Sequence, residues 1–425
     1  MTDVARAVEQ QTRRPWKLAI LSSMADYIDA GSIVAIGASL AIWKTQFALS
    51  SSTVGLITAL GPNALAAGIG AIVGGRLGDA IGRKRIYQFD LLLYAFGILF
   101  FIFAQGVPML LIGSVIVGFA VGVDIPTSWA LLSEGSPGHS RGRLLGVTNI
   151  LWNLGPVVTL AIAAFLAPTG EWAPRIVFGH LFVLALVTWA LRNGMGESVR
   201  WKEQQAGQTG NPLSFTKIRE LFTRSSGTAI AFTASVFLFW NLAAGTNGVF
   251  LPFILRTVGA QGQTGSVAIQ ALGFLCGIIS VALVFMPLAD TGRRRLIFSI
   301  GAALQAIAFL LFALFPLTTT VAICNVVLFG LGQGMAQYPM IRVWLSELFP
   351  TSVRTTAQGL VYGGVRVALF FWSLAVPVIA VAGVSTLGWL LTGFLTISGV
   401  IGAVFMPDTA GKSLEQVQAE RTGVA

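Results

Sequence analysis

Two acidic residues, Asp26 and Asp29, interrupt an apolar run at residues 18–43 that is long enough to cross a bilayer. Their i, i+3 spacing puts both carboxyl groups on one face of a helix. A charge at the centre of a bilayer costs at least about 2.5–3.5 kcal/mol, so an acid kept there is a functional candidate. Two close carboxylates in a low dielectric cannot easily both ionise. We predict that this pair carries a proton; the alternative is a polar cluster that packs the helix against a neighbour.

A third acid, Asp124, lies inside the apolar run at residues 108–132. It precedes Glu134 by ten residues, which corresponds to about 15 Å along a helix. We predict that Asp124 is a second proton site or the partner of a buried arginine. The alternative is a polar contact at a helix kink beside Pro126.

Two arginines, Arg342 and Arg366, also lie within apolar runs. Arg366 is twelve residues past Arg354, so its position is about 18 Å from the end of its helix. A guanidinium group stays protonated in proteins, so a buried one needs an acid partner or an anionic ligand. The three aspartates named above are the candidate partners.

A polar stretch, Gly75-Arg76-Leu77-Gly78-Asp79-Ala80-Ile81-Gly82-Arg83-Lys84-Arg85, separates two apolar runs. It is too short and too charged to enter a bilayer, so we predict a tight turn at the membrane surface. A weaker copy, Asp290-Thr291-Gly292-Arg293-Arg294-Arg295, begins 211 residues after Asp79.

Acidic residues are interleaved with basic residues at this predicted surface. Asp79 and Glu134 can pair with Arg83 and Arg141. Partly solvated ion pairs of this kind must separate when the surface opens, so they can act as a two-state gate. The alternative is that the charges only anchor helix ends to lipid headgroups. The predicted gate consists of eight residues: Asp79, Arg83, Glu134, Arg141, Asp290, Arg293, Glu347 and Arg354.

The composition indicates a membrane protein. Of the 425 residues, 55% are hydrophobic and only 10% are charged, and the mean hydropathy is +0.79. Soluble domains carry about 25% charged residues, so this chain cannot cover its surface in water. The net charge of +10 does not indicate nucleic-acid binding, because the basic residues fall in short clusters between apolar runs. The two cysteines also fall inside apolar runs, and we expect no disulfide framework.

Twelve apolar runs have about the length that a spanning helix needs, which predicts an all-α membrane protein. We number them spans 1 to 12 in chain order, at residues 18–43, 54–74, 86–105, 108–132, 143–167, 174–191, 227–255, 266–289, 296–315, 319–345, 356–380 and 385–406.

The basic residues predict the orientation. With a cytoplasmic N-terminus and alternating sides, 23 of the 27 Lys and Arg residues lie on the cytoplasmic side, and only Lys44, Arg175 and Arg256 lie in outer loops. This bias predicts that both termini are cytoplasmic. The long polar interval at 193–225 follows six spans and predicts a cytoplasmic linker with some amphipathic helix. We therefore expect two bundles of six helices, at residues 1–192 and 226–425.

The two halves carry matched features. Glu134 and Arg141 are seven residues apart after span 4, and Glu347 and Arg354 are seven apart after span 10. These pairs are offset by 213 residues, close to the offset of the polar stretch and its copy. Matched features at one offset predict an internal repeat. Two similar six-helix bundles around a central site are a recurrent transporter architecture.

The pattern Gly75-x-Leu77-x-Asp79-x-x-Gly82-Arg83-Lys84-Arg85 resembles the helix 2–3 loop signature of the major facilitator superfamily. Ala80 replaces the basic residue that usually follows the aspartate, and the second copy has one residue instead of two before its glycine. With the duplicated loop and the six-plus-six layout, the resemblance covers essentially the whole chain. It implies two pseudo-symmetric bundles that transport a solute by alternating access.

Within this superfamily the chain is similar to the sugar porters and their organic-ion relatives. The motifs that carry the likeness are Glu134 with Arg141-Gly142, Glu197-Ser198-Val199-Arg200-Trp201, Ser346-Glu347-Leu348-Phe349-Pro350 with Arg354, and Pro407-Asp408-Thr409-Ala410-Gly411-Lys412-Ser413-Leu414-Glu415. Asp26-x-x-Asp29 also resembles the helix 1 signature of bacterial aromatic-acid:proton symporters.

The resemblance places several side chains in a central cavity. Arg366 and Arg342 match positions where sugar porters carry cavity aromatic residues, which implies an anionic group on the substrate, held by paired hydrogen bonds. The alternatives are salt bridges to the buried aspartates and, for Arg342, a side chain that reaches the interface. The other predicted substrate residues, each of which could instead pack helices, are Asn149, Trp152, Asn153, Gln337, Tyr338, Trp240 and Asn247.

The sequence contains no metal-ligand constellation, nucleotide-binding loop or catalytic triad, so we expect neither an enzyme nor a cofactor. The energy for transport must then come from a gradient. We predict a proton-coupled importer of a small anionic solute, such as a sugar acid, a sulfonated sugar or a carboxylate. The first alternative is a neutral sugar or polyol symporter in which both arginines are tied to aspartates. A drug or metabolite exporter and a receptor with a transporter-like body are further alternatives.

The expected partners are a small-molecule substrate, protons and the lipid bilayer, with no nucleic acid. The expected location is the plasma membrane, which is the inner membrane in a bacterium. The family resemblance implies a monomer.

Overall fold

The computed structural model describes residues 15–134, 141–193, 197, 199–206, 221, 223–257 and 262–422. Within these ranges every regular element is a helix, and twelve helices are long and apolar enough to cross a membrane. This confirms the predicted all-α fold with twelve spans. The predicted linker includes the short helix Val199–Ala206, and a last helix, Leu414–Thr422, follows span 12.

Several spans are built from more than one helical segment. In chain order, the segments of spans 1 to 12 are Pro15–Gln46; Ser51–Leu60 with Leu65–Ile81; Arg83–Ile102; Val107–Glu134; Arg141–Leu166; Trp172–Arg192; Arg224–Gly245 with the π-helical turn Thr246–Phe250 and Leu251–Thr257; Gln263–Ser280 with the π-helical turn Val281–Phe285 and Met286–Leu288; Arg294–Leu314; Thr319–Met335 with Gln337–Glu347; Arg354–Ala382; and Val384–Phe405.

Spans 2 and 10 are broken near their middle. Pro62 has no N–H to donate, and span 2 makes a tight turn in which the Ala64 N–H bonds the Gly61 carbonyl at 3.1 Å. Span 10 is interrupted at Ala336, three residues before Pro339. Each break has a proline nearby, and proline removes a hydrogen bond from the helix.

The tight turn predicted at Gly75–Arg85 is only one residue long. One helix continues to Ile81 and the next begins at Arg83, so only Gly82 is non-helical. Gly82 has a φ of 107°, in the left-handed region that glycine tolerates best. The Asp79 and Arg83 side chains are buried. The Asp79 and Arg83 charges pair with each other, and Arg83 also pairs with Glu134 of span 4.

Spans 2 and 11 cross in direct backbone contact. A methyl group on Gly359 would overlap the carbonyl oxygen of Ala71, and one on Gly75 would overlap the carbonyl oxygen of Thr355. Small residues permit this close approach of helices in membranes. The crossing joins the first six spans to the last six, as does the packing of span 5 against span 8.

Large apolar side chains cover the outside of the molecule. Six of them are at least 66% exposed: Phe89, Phe165, Leu283, Phe371, Val378 and Phe405. Several Asp, Glu and Arg side chains are instead buried inside. This distribution is the reverse of that in a soluble protein, and it suits a lipid environment.

Candidate functional site

A small cavity lies at the centre of the molecule, where both halves of the repeat contribute side chains. Its volume is about 30 Å³, and its lining includes Asn63, Trp152, Trp240, Tyr338 and Arg366. A cavity of this size holds about one water molecule, whereas small-molecule sites measure roughly 300–1,000 Å³. The centre is therefore closed around its polar groups in this conformation.

Arg366 projects into the central cavity from span 11. Its Nη1 donates to the Asn63 carbonyl oxygen at 2.8 Å and to Asn63 Oδ1 at 2.6 Å, and its Nη2 donates to the Tyr362 hydroxyl at 2.5 Å. The guanidinium carbon also lies 4.6 Å from the centre of the Tyr362 ring. The structure gives Arg366 no ion pair with a described carboxylate. The alternative that an aspartate neutralises Arg366 is therefore wrong for this conformation.

Arg342 has a different environment. Its Nη2 lies 2.7 Å from Asp26 Oδ1 and donates to the Tyr338 hydroxyl at 2.7 Å. The guanidinium carbon is 4.7 Å from the Trp129 ring centre and 4.5 Å from that of Tyr338. The side chain is fully buried, so it does not reach the membrane interface. In this conformation Arg342 pairs with Asp26, as the salt-bridge alternative predicted, and it is absent from the lining of the central cavity.

Three predicted aromatic residues form one wall of the cavity. Tyr338 stacks on Trp240, with ring centres 5.1 Å apart, and contacts Trp152 at 4.8 Å. The Trp240 indole N–H donates to Gln305 Oε1 at 2.8 Å, and Gln305 Nε2 donates to Gln337 Oε1 at 2.6 Å. The predicted Gln337 thus lies behind the aromatic wall. Gln305 supports this wall and was missed in the sequence.

Three predicted asparagines lie away from the central cavity. Asn149 and Asn153 bond backbone carbonyls of their own helix at 3.1 and 2.7 Å. Asn153 Oδ1 also accepts from Gln333 of span 10 at 3.3 Å. Asn247 lies in the π-helical turn of span 7, where its carbonyl accepts from Gln270 at 3.2 Å. The Oδ1 atoms of Asn149 and Asn247 are buried without a hydrogen-bond donor among the described residues.

The predicted proton-site carboxyl groups are all buried. Asp26, Asp29 and Asp124 are at most 4% exposed. Asp124 Oδ1 lies 3.4 Å from Arg192 Nη1, which matches the prediction of a buried arginine partner. Asp90 is also near Arg192, at 3.8 Å. Asp90 and Arg192 were missed in the sequence; an acid within span 3 was the available signal for Asp90.

The predicted gate residues meet at one end of the molecule, which we call the charged face. Arg83 Nη2 lies 3.0 Å from both Asp79 Oδ1 and Glu134 Oε1, and Arg354 Nη1 lies 3.1 Å from Glu134 Oε1. Arg83 also donates to the Thr351 carbonyl at 3.0 Å. These bonds tie spans 2, 3 and 4 to the start of span 11. The side chain of Arg141 lies outside the described residues.

The second copy of the polar stretch uses a different arginine from the one predicted. Arg294 pairs with Glu347 at 3.0 Å and with Asp290 at 3.6 Å, whereas Arg293 is exposed. The correction follows from helix geometry. Arg83 is four residues after Asp79, and Arg294 is four residues after Asp290, so each lies on the same face of its turn as the acid.

Two aspartates cap helices of the opposite half. Asp79 accepts from the Thr356 N–H at 2.7 Å and from the Thr355 N–H at 3.4 Å, at the start of span 11. Asp290 accepts from the N–H groups of Gly142 and Arg143, at 2.9 and 3.1 Å, at the start of span 5. A carboxylate at a helix N-terminus satisfies free N–H groups and the helix dipole. Both crossed caps therefore hold the charged face closed.

A wider cavity lies at the opposite end of the molecule. Its volume is about 550 Å³, and its lining includes Thr45 and Gln46 of span 1, Glu171 of the loop before span 6 and Arg256 of span 7. Gln46 donates to Glu171 at 3.1 Å across it. The described conformation is thus closed at the charged face and wider at the other end.

Comparisons with known proteins agree with this architecture. Residues 18–280 match the family model described as Major Facilitator Superfamily, and residues 202–420 match the model described as Sugar (and other) transporter. The minor myo-inositol transporter IolF of Bacillus subtilis is 39% identical over 413 residues, which cover 96% of this chain and 94% of that protein. The glucose transporter GlcP of Staphylococcus epidermidis is 25% identical, with 91% and 93% covered.

Solved structures show the same fold at low sequence identity. The proton:xylose symporter XylE bound to 6-bromo-6-deoxy-D-glucose superposes with a TM-score of 0.79 at 20% identity, covering 96% of this chain and 99% of that one. The inward-open conformation of XylE from E. coli gives a TM-score of 0.71 at 19% identity, with the same coverage. The chain is therefore a multi-pass membrane transporter that belongs to the Major Facilitator Superfamily and, within it, to the sugar porter family.

Proposed function

We propose that this protein carries a neutral polyol or cyclic sugar of the myo-inositol class across a bacterial inner membrane, together with protons. The prediction of an anionic solute is not supported, because Asp26 already neutralises Arg342 and the relatives are named for inositol and glucose. The observation that carries the proposal is the set of acceptors around Arg366. They are a carbonyl, an amide and a hydroxyl oxygen, all of them neutral.

The cavity chemistry supports this substrate class. In the proposed mechanism, the guanidinium of Arg366 exchanges the Asn63 oxygens for two neighbouring hydroxyl oxygens of the ligand. Trp152, Trp240 and Tyr338 pack on the apolar face of the ring. The cavity of about 30 Å³ must widen to admit such a ligand, so binding requires the halves to shift apart.

The proton acts through the ion pair that joins the halves. Asp26 belongs to the first half and Arg342 to the second, and the pair is buried. Opening the centre separates these charges, which is costly unless Asp26 takes up a proton. Asp29 lies beside it on the same helix. In the proposed mechanism, protonation of this pair therefore permits the movement that the loaded site needs.

We also propose how the protein is arranged in the membrane. Residues 1–192 and 226–425 move as two bundles joined by the linker at 193–225. The charged face and both termini lie in the cytoplasm, and the wider cavity opens to the outside. The gate residues close the cytoplasmic side, and the transporter works as a monomer.

Binding to the purified protein tests the substrate class. A ligand that binds only the folded state raises the thermal midpoint by mass action. We expect myo-inositol or a neutral sugar to raise the midpoint. D-glucuronate, which differs from D-glucose by a carboxylate in place of a hydroxymethyl group, should leave it unchanged. A shift with D-glucuronate alone would contradict the proposal.

A further inference from the structure

A buried cluster in the first half lies apart from the central cavity. It consists of Asp90 in span 3, Asp124 in span 4 and Arg192 in span 6, and we call it the Asp90–Asp124–Arg192 cluster. Each of the three residues is at most 4% exposed. None of them belongs to the lining of the central cavity in this conformation.

In this cluster one cation, Arg192, lies near two carboxyl groups. Arg192 Nη1 lies 3.4 Å from Asp124 Oδ1 and 3.8 Å from Asp90 Oδ1. The same atom donates to the Tyr87 carbonyl at 3.1 Å, and the guanidinium carbon lies 3.4 Å from the centre of the Tyr87 ring. Arg192 can neutralise one carboxylate. A second unpaired carboxylate in this dry environment would be very costly.

The two carboxyl groups approach the same Nη1 atom of Arg192 and therefore lie close to each other. Two ionised carboxylates have no proton with which to form a hydrogen bond to each other. Oδ2 of each residue is buried without a hydrogen-bond donor among the described residues. One proton shared between the acids provides both the missing bond and the missing charge balance.

The cluster lies near the helix 1 carboxyl groups. Asp29 is close enough to Asp26, Asp124 and Arg192 for charge interactions. Asp90 is seven residues past Arg83 and Asp124 is ten residues before Glu134, so both lie about 10–15 Å from the charged face. The titratable groups outside the cluster that face it are Asp26, Asp29 and Tyr87.

We propose that Asp90 and Asp124 share one proton beside Arg192 and form a second proton-binding site between the helix 1 carboxyl groups and the charged face. The ionised member of the pair accepts a proton from Asp29, while the shared proton leaves toward the charged face. The pair regains its charge and its internal hydrogen bond after each transfer. This inference rests on the proposed proton coupling, but the presence of the shared proton does not depend on the substrate.

Infrared spectroscopy of the protein in lipid tests the shared proton without a substrate. Protonated carboxyl groups have their own carbonyl stretching band. We expect Asp90→Asn to lose one protonated carboxyl group at neutral pH, because Asp124 then ionises beside Arg192. Asp124→Asn should lose the same one, and the double variant should lose no more than either. Asp408→Asn, at an exposed carboxyl group outside the spans, should leave the band unchanged.

Two results would overturn the inference. One is a band unchanged in both single variants, since no proton would then be shared. The other is a double variant that loses two protonated groups, since the acids would then be protonated independently. Either single variant reports the same proton, so misfolding of one leaves the other as the test.

Uptake by proteoliposomes tests the use of that proton. With a proton gradient, wild type should accumulate myo-inositol above equilibration, and Asp90→Asn should only equilibrate it. Full accumulation by Asp90→Asn would mean that the pair lies outside the proton route. Absence of myo-inositol uptake by wild type would instead contradict the proposed substrate, and the infrared result would stand by itself.

Discussion

The Asp26–Arg342 ion pair joins the two halves through a single contact of 2.7 Å in the interior. Both side chains are almost fully buried, and Trp129 and Tyr338 cover the guanidinium. In this buried environment each charge is neutralised by the other. In the proposed mechanism the pair stabilises the closed state. Protonation of Asp26 weakens the pair because it removes the negative charge.

The first prediction concerns removal of one partner of this pair. Arg342→Gln leaves the Asp26 carboxylate buried without a counter-ion, so we expect the free energy of unfolding to fall by about 3–5 kcal/mol. The double variant Asp26→Asn/Arg342→Gln should recover most of that loss. Denaturant unfolding in detergent micelles measures both. Losses that simply add in the double variant would contradict the coupling.

The second prediction concerns Arg366 and substrate affinity. Hydrogen bonds from a charged group contribute about 1.5–3 kcal/mol each, so Arg366→Gln should raise the Kd for myo-inositol roughly 10- to 100-fold. The control is Arg175→Gln, which removes a cation that lies over Trp172 and outside the lining of the central cavity. Isothermal titration gives the Kd, and the thermal midpoint without ligand checks folding. An unchanged Kd for Arg366→Gln would remove this residue from the substrate site.

Individual residues were predictable from sequence where a charge lies inside an apolar run, because placing a charge in the membrane interior costs free energy. Asp26, Asp124, Arg342 and Arg366 are charges inside apolar runs, and such charges are rarely kept without a function. Their partners were not predictable, because pairing depends on which spans are neighbours. Arg192 lies at the end of span 6, where a basic residue is expected to meet headgroups; the fold instead turns it inward.

At the scale of elements, spans 2 and 11 meet at the charged face, and we propose that they control its closure. Gly359 of span 11 contacts the backbone of span 2, and Asp79 of span 2 caps the start of span 11. The crossing and the cap act at the same end of the molecule. Any widening between these helices therefore opens the charged face.

The third prediction tests this crossing. Gly359→Ala places a methyl group against the Ala71 carbonyl, which should push the helices apart and favour opening of the charged face. A cysteine at the buried position Ala357, in a background with Cys276→Ser and Cys324→Ser, should then react faster with a membrane-impermeant thiol reagent. The matched control is Gly364→Ala in the same span, because nothing lies within 4 Å of the added methyl group. Equal labelling rates in the two variants would contradict the proposed closure.

Elements were the most predictable level of the structure. Runs of about 20 apolar residues have one stable form in lipid, so the twelve spans followed from length and composition. The ends of spans 2 and 3 were not predictable, since a run of charges at Gly75–Arg85 resembles a surface turn. The helices continue through this segment, where Glu134 pairs with Arg83 and the start of span 11 donates to Asp79.

At the scale of the whole molecule, the two ends differ. The charged face is closed by ion pairs and by two crossed helix caps. The opposite end has a cavity of about 550 Å³, and the centre has only about 30 Å³. In the proposed cycle, this conformation precedes the entry of substrate from the wider end. The substrate class was not predictable from the arginines alone, because Arg342 proved to hold an aspartate.

The most direct test of the account is uptake of labelled myo-inositol by proteoliposomes at a fixed membrane potential, with and without an inward proton gradient. We expect accumulation above equilibration only with the gradient, and competition by excess unlabelled myo-inositol but not by D-glucuronate. Asp26→Asn should abolish the accumulation. Accumulation above equilibration without the proton gradient would contradict the proton coupling. Accumulation of D-glucuronate without any of myo-inositol would contradict the neutral substrate.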